Sequence, residues 1–202
     1  MSGAAVVDDA RWNGNIHHHP VILAALAVPC GRVLDVGCGE GILTRSLRAR
    51  SVVGIDMHAP SIQLARSTPS DIEWIVGDAL THPFEPSSFD AIVGVSMLHH
   101  VDPVVALRRF ASLLCPGGVL AFVGVARSRY PRDLPRDGVA TIAARLHRLN
   151  NTYWEHSAPM MWPPPLTFAQ TKNMLDDTLP GVRFRRHLMF RYSFVWTKPL
   201  GT

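Results

Sequence analysis

Residues 33–41 read Val-Leu-Asp-Val-Gly-Cys-Gly-Glu-Gly, and their order decides the fold. Val33, Leu34 and Val36 surround one carboxylate, Asp35. An apolar run of this length is expected to form a buried strand. Glycines follow at alternate positions: Gly37, Gly39 and Gly41. Lacking Cβ, they let the backbone turn with positive φ and approach a ligand closely. Helical spacing resumes with Ile42, Leu43, Ser46 and Leu47, so a helix is expected over 41–49. A strand, a glycine-rich turn and a helix N-terminus form a ligand crevice at the carboxyl end of a parallel strand.

The same rhythm repeats outward from this stretch. Strands are expected at 32–36, at 52–55 with Asp56 at its end, and at 72–76, 89–95 and 119–123. Helices are expected at 20–28, between Pro20 and Pro29, and at 59–67. A further helix opens on Asp102-Pro103, with Asp102 as cap and Pro103 in the first turn. Pro116-Gly117-Gly118 reads as a turn. Strands alternating with helices imply right-handed crossovers and a parallel sheet covered on both faces. The rhythm breaks after 126. One helix is expected near 137–149 and another at 167–178, followed by neighbouring strands at 182–188 and 191–197. The chain is read as a single domain over 1–202, with an N-terminal cap or flap (1–30), a cofactor-binding core (31–126), an insert over the active site (127–165), and a last helix and strand pair (166–202).

Composition narrows the class. A chain of 202 residues, 47% apolar, suits one α/β domain. No run of about eighteen apolar residues is present, so no transmembrane helix is expected. Asp8, Asp9 and Arg11 near the start, with no apolar core, do not read as a secretory signal. Three scattered cysteines, Cys30, Cys38 and Cys115, make no disulfide framework. A soluble, reduced, cytoplasmic protein is expected. The net charge of +4 is uneven: residues 1–126 carry 8 Lys/Arg against 11 Asp/Glu, and residues 127–202 carry 12 against 5. The basic C-terminal third is read first as a solvated arginine-rich surface, with an anionic substrate or nucleic acid as the alternative.

Glycine spacing selects the ligand. The dinucleotide fingerprint G-x-G-x-x-G requires glycine where Ile42 stands. The pattern present is D-x-G-x-G-x-G, from Asp35 to Gly41. It resembles motif I of the class I S-adenosylmethionine-dependent methyltransferases, and the resemblance continues to about residue 126. Ser96-Met97-Leu98-His99-His100 is similar to the segment after the fourth strand in small-molecule members related to quinone-biosynthesis enzymes. The resemblance implies a Rossmann-like, doubly wound, seven-stranded sheet, mostly parallel, ending in an antiparallel strand pair. It also implies S-adenosylmethionine as cofactor, with S-adenosylhomocysteine as product.

That cofactor assigns roles to residues. The glycine turn, with small Cys38 inside it, is expected to hold the methionine tail. Asp35 is expected to hold the ammonium or to order the turn. Asp56 at the tip of the second strand can accept from both ribose hydroxyls, and Met57 is expected to pack on the adenine face. The resemblance places Asp78 on the exocyclic amine and the backbone of Ala79 or Leu80 on the ring. Ser96 offers a carbonyl to the ammonium, and Glu40 either faces solvent or is a further ammonium partner. His99 and His100 are the candidate catalytic residues. One of them is expected to face the pocket, touching substrate or acting as base. Trp12, Asn15 and one histidine, His18, are read as an N-terminal flap over the cofactor's amino acid end, with Trp12 and His18 also expected to touch substrate. Trp154, Met160, Met161, Trp162 and Pro163 are read as an apolar lid over a small-molecule substrate. His17-His18-His19 cannot converge on one ion with relaxed geometry, so no metal is expected.

Missing motifs argue against rival functions. The Asn/Asp-Pro-Pro-aromatic loop of amino-methylating nucleic-acid enzymes is absent after the fourth strand, and no cysteine stands there for cytosine C5 chemistry. An RNA methyltransferase of another subtype would rely on Arg183, Arg185, Arg186 and Arg191. A non-catalytic cofactor-binding protein is the second rival. No partner on a membrane is expected, and the oligomeric state is left open.

Overall fold

In the computed structural model, which describes residues 11–26, 30–150, 152–154 and 162–201, seven strands form one sheet. Two further short strands, β1 (Arg11–Trp12) and β7 (Thr152–Tyr153), pair with each other. The sheet holds β2 (Cys30–Val36), β3 (Ala49–Asp56), β4 (Glu73–Val76), β5 (Phe89–Val95), β6 (Leu114–Val125), β8 (Arg183–Arg186) and β9 (Arg191–Thr197). Their spatial order is β4-β3-β2-β5-β6-β9-β8. Strands β2 to β6 are parallel, whereas β9 runs antiparallel to both β6 and β8. The chain therefore reverses direction across the sheet between β2 and β5, the switch point at which open α/β sheets bind ligands.

Residue alternation builds the two faces. Leu34, Val36, Val53, Ile55, Ile92, Leu120 and Phe122 point to one side. There they meet α3 (Pro103–Leu113) and α5 (Phe168–Thr178) through Leu107, Phe110 and Leu175. Val33, Val52, Ala91, Val93, Ala121 and Val123 point to the other side, where Ile22 of α1 (His19–Leu23) and Leu43 and Leu47 cover them. Phe110, Phe122 and Phe194 stack in series at 5.6 and 5.4 Å between ring centres. Helix α2 (Ala59–Arg66) follows β3, and α4 (Leu134–Asn150) lies within the segment between β6 and β7. Asp102 caps α3 as its spacing predicts, accepting from the Val104 and Val105 N–H groups at 2.9 and 3.1 Å.

Two local expectations fail. The helix expected over 41–49 is one 3-10 turn, Thr44–Ser46. Gly41 is left-handed and Leu47 is already extended, and β3 starts at Ala49, so no room remains for further turns. The turn expected at Pro116-Gly117-Gly118 is a bulge inside β6. The register jumps from Phe89↔Leu114 to Ala91↔Val119, with Gly117 at φ 79°. The helix expected over 20–28 is described only as α1 and a following turn to residue 26; Pro29, its expected stop, lies outside the described residues. No helix among the described residues is long and apolar enough to cross a membrane.

Candidate active site

A crevice of about 580 Å³ opens at the carboxyl ends of the parallel strands. Its walls follow the sheet order. Gly77, Asp78, Ala79 and Leu80 line it beyond β4, and Asp56, Met57 and His58 beyond β3. Asp35 to Glu40 line it at β2, and Val95, Ser96 and Met97 at β5. His99, His100 and Val101 follow, then Val125 at the end of β6 and Arg191 at the start of β9. Asn13, Asn15, Ile16, His19, Trp154 and Trp162 close it from above.

The three glycines do different things. Gly37 has φ 68°, and a Cβ there would lie 2.9 Å from the Met97 Cβ. Gly39 has φ 54°, and its missing Cβ would meet nothing within 4 Å, so the space above it belongs to the crevice. Its N–H donates to Asp56 Oδ2 at 2.8 Å. Gly41 (φ 79°) does not line the crevice. A Cβ there would sit 2.2 Å from the Trp74 ring, which also covers Gly54, its partner across the β3–β4 ladder.

Asp35 is 2% exposed and accepts from the Thr44 hydroxyl at 2.6 Å. Burial pushes its pKa up to about 7; the Thr44 bond opposes that and the nearby Asp56 charge adds to it. Asp56 also accepts from the His58 N–H through Oδ1 at 2.8 Å, so both carboxylate oxygens are aimed by backbone. Asp78 Oδ1 accepts from the Leu80 N–H at 2.9 Å. Met57 is 71% exposed at the crevice wall. Ser96 takes the left-handed conformation (φ 52°), donating its N–H to the Val123 carbonyl at 2.7 Å and its hydroxyl to Asn15 Oδ1 at 2.7 Å. Burial raises the Cys38 thiol well above its usual range, which keeps it neutral.

Both His99 and His100 line the crevice, where one was expected; their rings are 4.1 Å apart. His100 is exposed, and His99 is partly buried with an Nδ1 that has no hydrogen-bond partner. Burial, then His100 and Arg191, lower the His99 pKa to about 4.

Trp12 and His18, expected at the substrate, do not line the crevice and instead hold the flap together. Trp12 is buried, stacks on His147 at 5.1 Å, and its carbonyl accepts from the Trp154 N–H. His18 Nδ1 lies 2.8 Å from the Gly14 carbonyl, and its ring meets His187 edge-on at 5.3 Å. The β1–β7 pair ties this flap to the insert, which turns Asn13, Asn15 and His19 toward the crevice. Trp154 and Trp162 line it as expected of a lid; Met160 and Met161 lie outside the described residues. Among the described residues no three His, Cys, Asp or Glu side chains converge as a metal ion requires.

The histidines around the flap and crevice have a consequence for stability. Burial lowers the pKa of His18 and His19 to about 4, as it does for His99, and also lowers those of His17 and His187. The unfolded chain binds protons at these sites near the ordinary 6.5 while the folded chain resists them. The histidine contribution is therefore flat above about pH 7 and falls from about 6.5 toward 4. Asp35, raised to about 7, acts in the opposite direction over the same window, but it is one group against several. A melting series from pH 7.5 to 5 is expected to show a falling transition temperature; a flat or rising one contradicts this account.

Four features of the site were not foreseen: Thr44 on Asp35, Trp74 over Gly41 and Gly54, Asn15 between Ser96 and Arg191, and Arg191 itself. Only Trp74 had a local signal, as a large aromatic ring on a strand beside a glycine-bearing neighbour.

Comparisons with known proteins agree with this geometry. Residues 34–122 match the family described as Methyltransferase domain. The chain is 34% identical to an uncharacterized methyltransferase of Mycobacterium tuberculosis (strain H37Rv), covering 95% of this chain and all of that protein. It is 34% identical to a ubiquinone biosynthesis O-methyltransferase of Xanthomonas campestris, over 68% of this chain and 61% of that one. A solved S-adenosylmethionine-dependent methyltransferase of Methanosarcina mazei shares the fold at a TM-score of 0.62 and 21% identity, covering 90% of this chain and 98% of that one. The chain belongs to the class I S-adenosylmethionine-dependent methyltransferases. It is an enzyme, and S-adenosylmethionine is its cofactor. The crevice has the features such a group needs: open space over Gly39 and carboxylates at three successive strand tips.

Proposed function

We propose that this methyltransferase acts on a small molecule held at the β5–β6–β9 end of the crevice, while the cofactor occupies the β4–β3–β2 end. The observation that carries this reading is the division of one cavity. Its acidic end holds Asp35, Glu40, Asp56 and Asp78, and its other end holds Val125, His99, Trp154 and Trp162. A volume of about 580 Å³ is of the order of small-molecule sites. The crowding of the arginines supports the same reading over an RNA acceptor. Arg186 is paired with Asp133 at 2.8 Å and lies over the Phe168 ring, and Arg191 faces the crevice, which leaves only Arg183 and Arg185 exposed among the four.

In this reading Asp56 accepts from the ribose hydroxyls, and Met57 covers one face of the adenine. Asp78 accepts from the adenine amine, and the Ala79 N–H serves the ring because Asp78 occupies that of Leu80. Gly37, Cys38 and Gly39 bound the tail. Asp35 and the Ser96 carbonyl hold the ammonium. Gly41 shapes the turn without touching ligand. S-adenosylmethionine supplies an activated methyl on a sulfonium, displaced in line by the acceptor atom. The protein's main work is alignment, which is worth roughly 7–11 kcal/mol in well-oriented reactions. His99 is neutral at physiological pH, so its imidazole positions the acceptor and takes a proton only from an acidic one.

Two experiments follow. Placing an ammonium beside Asp35, whose pKa stands near 7, favours the carboxylate and expels a proton. Calorimetric titration near pH 6.5 in buffers of different ionisation heat is expected to report proton release, and affinity is expected to rise between pH 6 and 8. Equal heats in all buffers would remove Asp35 from the ammonium. For the acceptor, labelled methyl groups are expected in the low-mass fraction of a cell extract; label confined to RNA contradicts the small-molecule reading.

A further inference from the structure

Arg191 takes no part in holding the cofactor as described above, yet it lines the same crevice. It is the first residue of β9 and pairs with Val125 at the end of β6. Its Nη2 donates to Asn15 Oδ1 at 2.9 Å and its Nη1 to the Met189 carbonyl at 3.3 Å. Its Nε is buried and has no hydrogen-bond partner. Both partners are neutral, and none of the ion pairs among the described residues includes Arg191. The groups nearest in charge are His18 and His99, both kept neutral, and Tyr153. Burial lowers the guanidinium's own pKa to about 10, so it stays charged at neutral pH. A largely buried cation whose neighbours among the described residues are all neutral is costly unless a counter-charge arrives.

The distribution of charge says where that counter-charge sits. Among the described residues, the four carboxylates that line the crevice stand at or just beyond the tips of β2, β3 and β4. Arg191 stands across the switch point with Trp154, Trp162 and His99, and no other Lys or Arg among the described residues lines the crevice. One planar fork matches one carboxylate. A phosphate dianion would keep a charge uncompensated there.

We propose that Arg191 binds a carboxylate of the methyl acceptor, so that the substrates are small acidic molecules with an apolar or aromatic body. The proposal rests on the small-molecule reading of this site. The probe is benzoate, with benzamide as its neutral counterpart. Each is titrated by tryptophan fluorescence into protein saturated with S-adenosylhomocysteine. Wild type is expected to bind benzoate roughly tenfold more tightly than benzamide, the scale of one charge-assisted pair. Arg191→Met is expected to erase that preference, and Arg191→Lys to restore part of it, with affinity for S-adenosylhomocysteine unchanged in both. Arg191→Gln, which keeps a donor for Asn15, is a second neutral variant should the methionine one not fold, and it too must lose the preference. Equal binding of the two probes to wild type overturns the proposal, as does a preference that survives in the neutral variants. Loss of S-adenosylhomocysteine affinity in Arg191→Lys and Arg191→Gln also overturns it, because the guanidinium would then serve the cofactor's own carboxylate. If wild type fails to bind S-adenosylhomocysteine at all, the cofactor site falls first and this proposal with it. Normal product binding with no probe preference sinks the acceptor proposal alone.

Discussion

Asp56→Ala is expected to weaken S-adenosylmethionine and S-adenosylhomocysteine alike, by roughly ten- to a hundredfold. Two losses combine. The ribose hydroxyls lose a charged acceptor, worth about 1.5–3 kcal/mol. The glycine turn also loses its anchor, because Asp56 Oδ2 accepts from the Gly39 N–H at 2.8 Å. Asp56→Asn keeps one accepting oxygen and should fall between wild type and alanine. The equal effect on the two ligands matters, since both carry the ribose and only one carries the methyl. Calorimetry on the three proteins decides the matter. Unchanged affinity in Asp56→Ala would take this carboxylate out of the site.

The second large effect separates two glycines that look equivalent in the sequence. Gly41→Ala is expected to destabilise the fold by roughly 2–4 kcal/mol, from left-handed strain added to overpacking. The new methyl would fall 2.2 Å from Trp74, a ring held between Gly41 and Gly54 and backed by Arg45 at 5.6 Å. That is a large share of the 5–15 kcal/mol typical of a whole domain. Gly39→Ala carries the left-handed strain alone, about 1 kcal/mol, because its methyl enters open space. That space is where the cofactor tail is proposed to lie, so Gly39→Ala should melt near wild type yet bind S-adenosylmethionine poorly. Denaturant melts paired with binding titrations test both. Equal stability of the two variants would contradict the packing argument.

What was legible in the sequence was local. The apolar run of Phe89–Val95 and the Asp102-Pro103 start of α3 appear in the structure where the sequence puts them. The carboxylates at the tips of β2, β3 and β4 were legible because a strand end followed by Asp is a short-range pattern. Periodicity failed at 41–49, where apolar residues at helical spacing cover the sheet from a single turn. It could not see that β3 begins early enough to forbid a helix. It also misplaced two residues of the flap. Trp12 and His18 are buried by partners far along the chain, His147 and His187, and Asn15 reaches Arg191 across 176 positions. Arg191 read as one member of a basic stripe because alternation along β9 says which face a residue takes. It does not say that this strand end borders a cavity.

Diffraction from crystals grown with S-adenosylhomocysteine tests the central claim most directly. The account predicts the adenine between Met57 and Asp78, the ribose hydroxyls on Asp56 and the amino acid tail over Gly37 and Gly39. A crevice that stays empty at saturating ligand, or that takes a nicotinamide or flavin in its place, would contradict it.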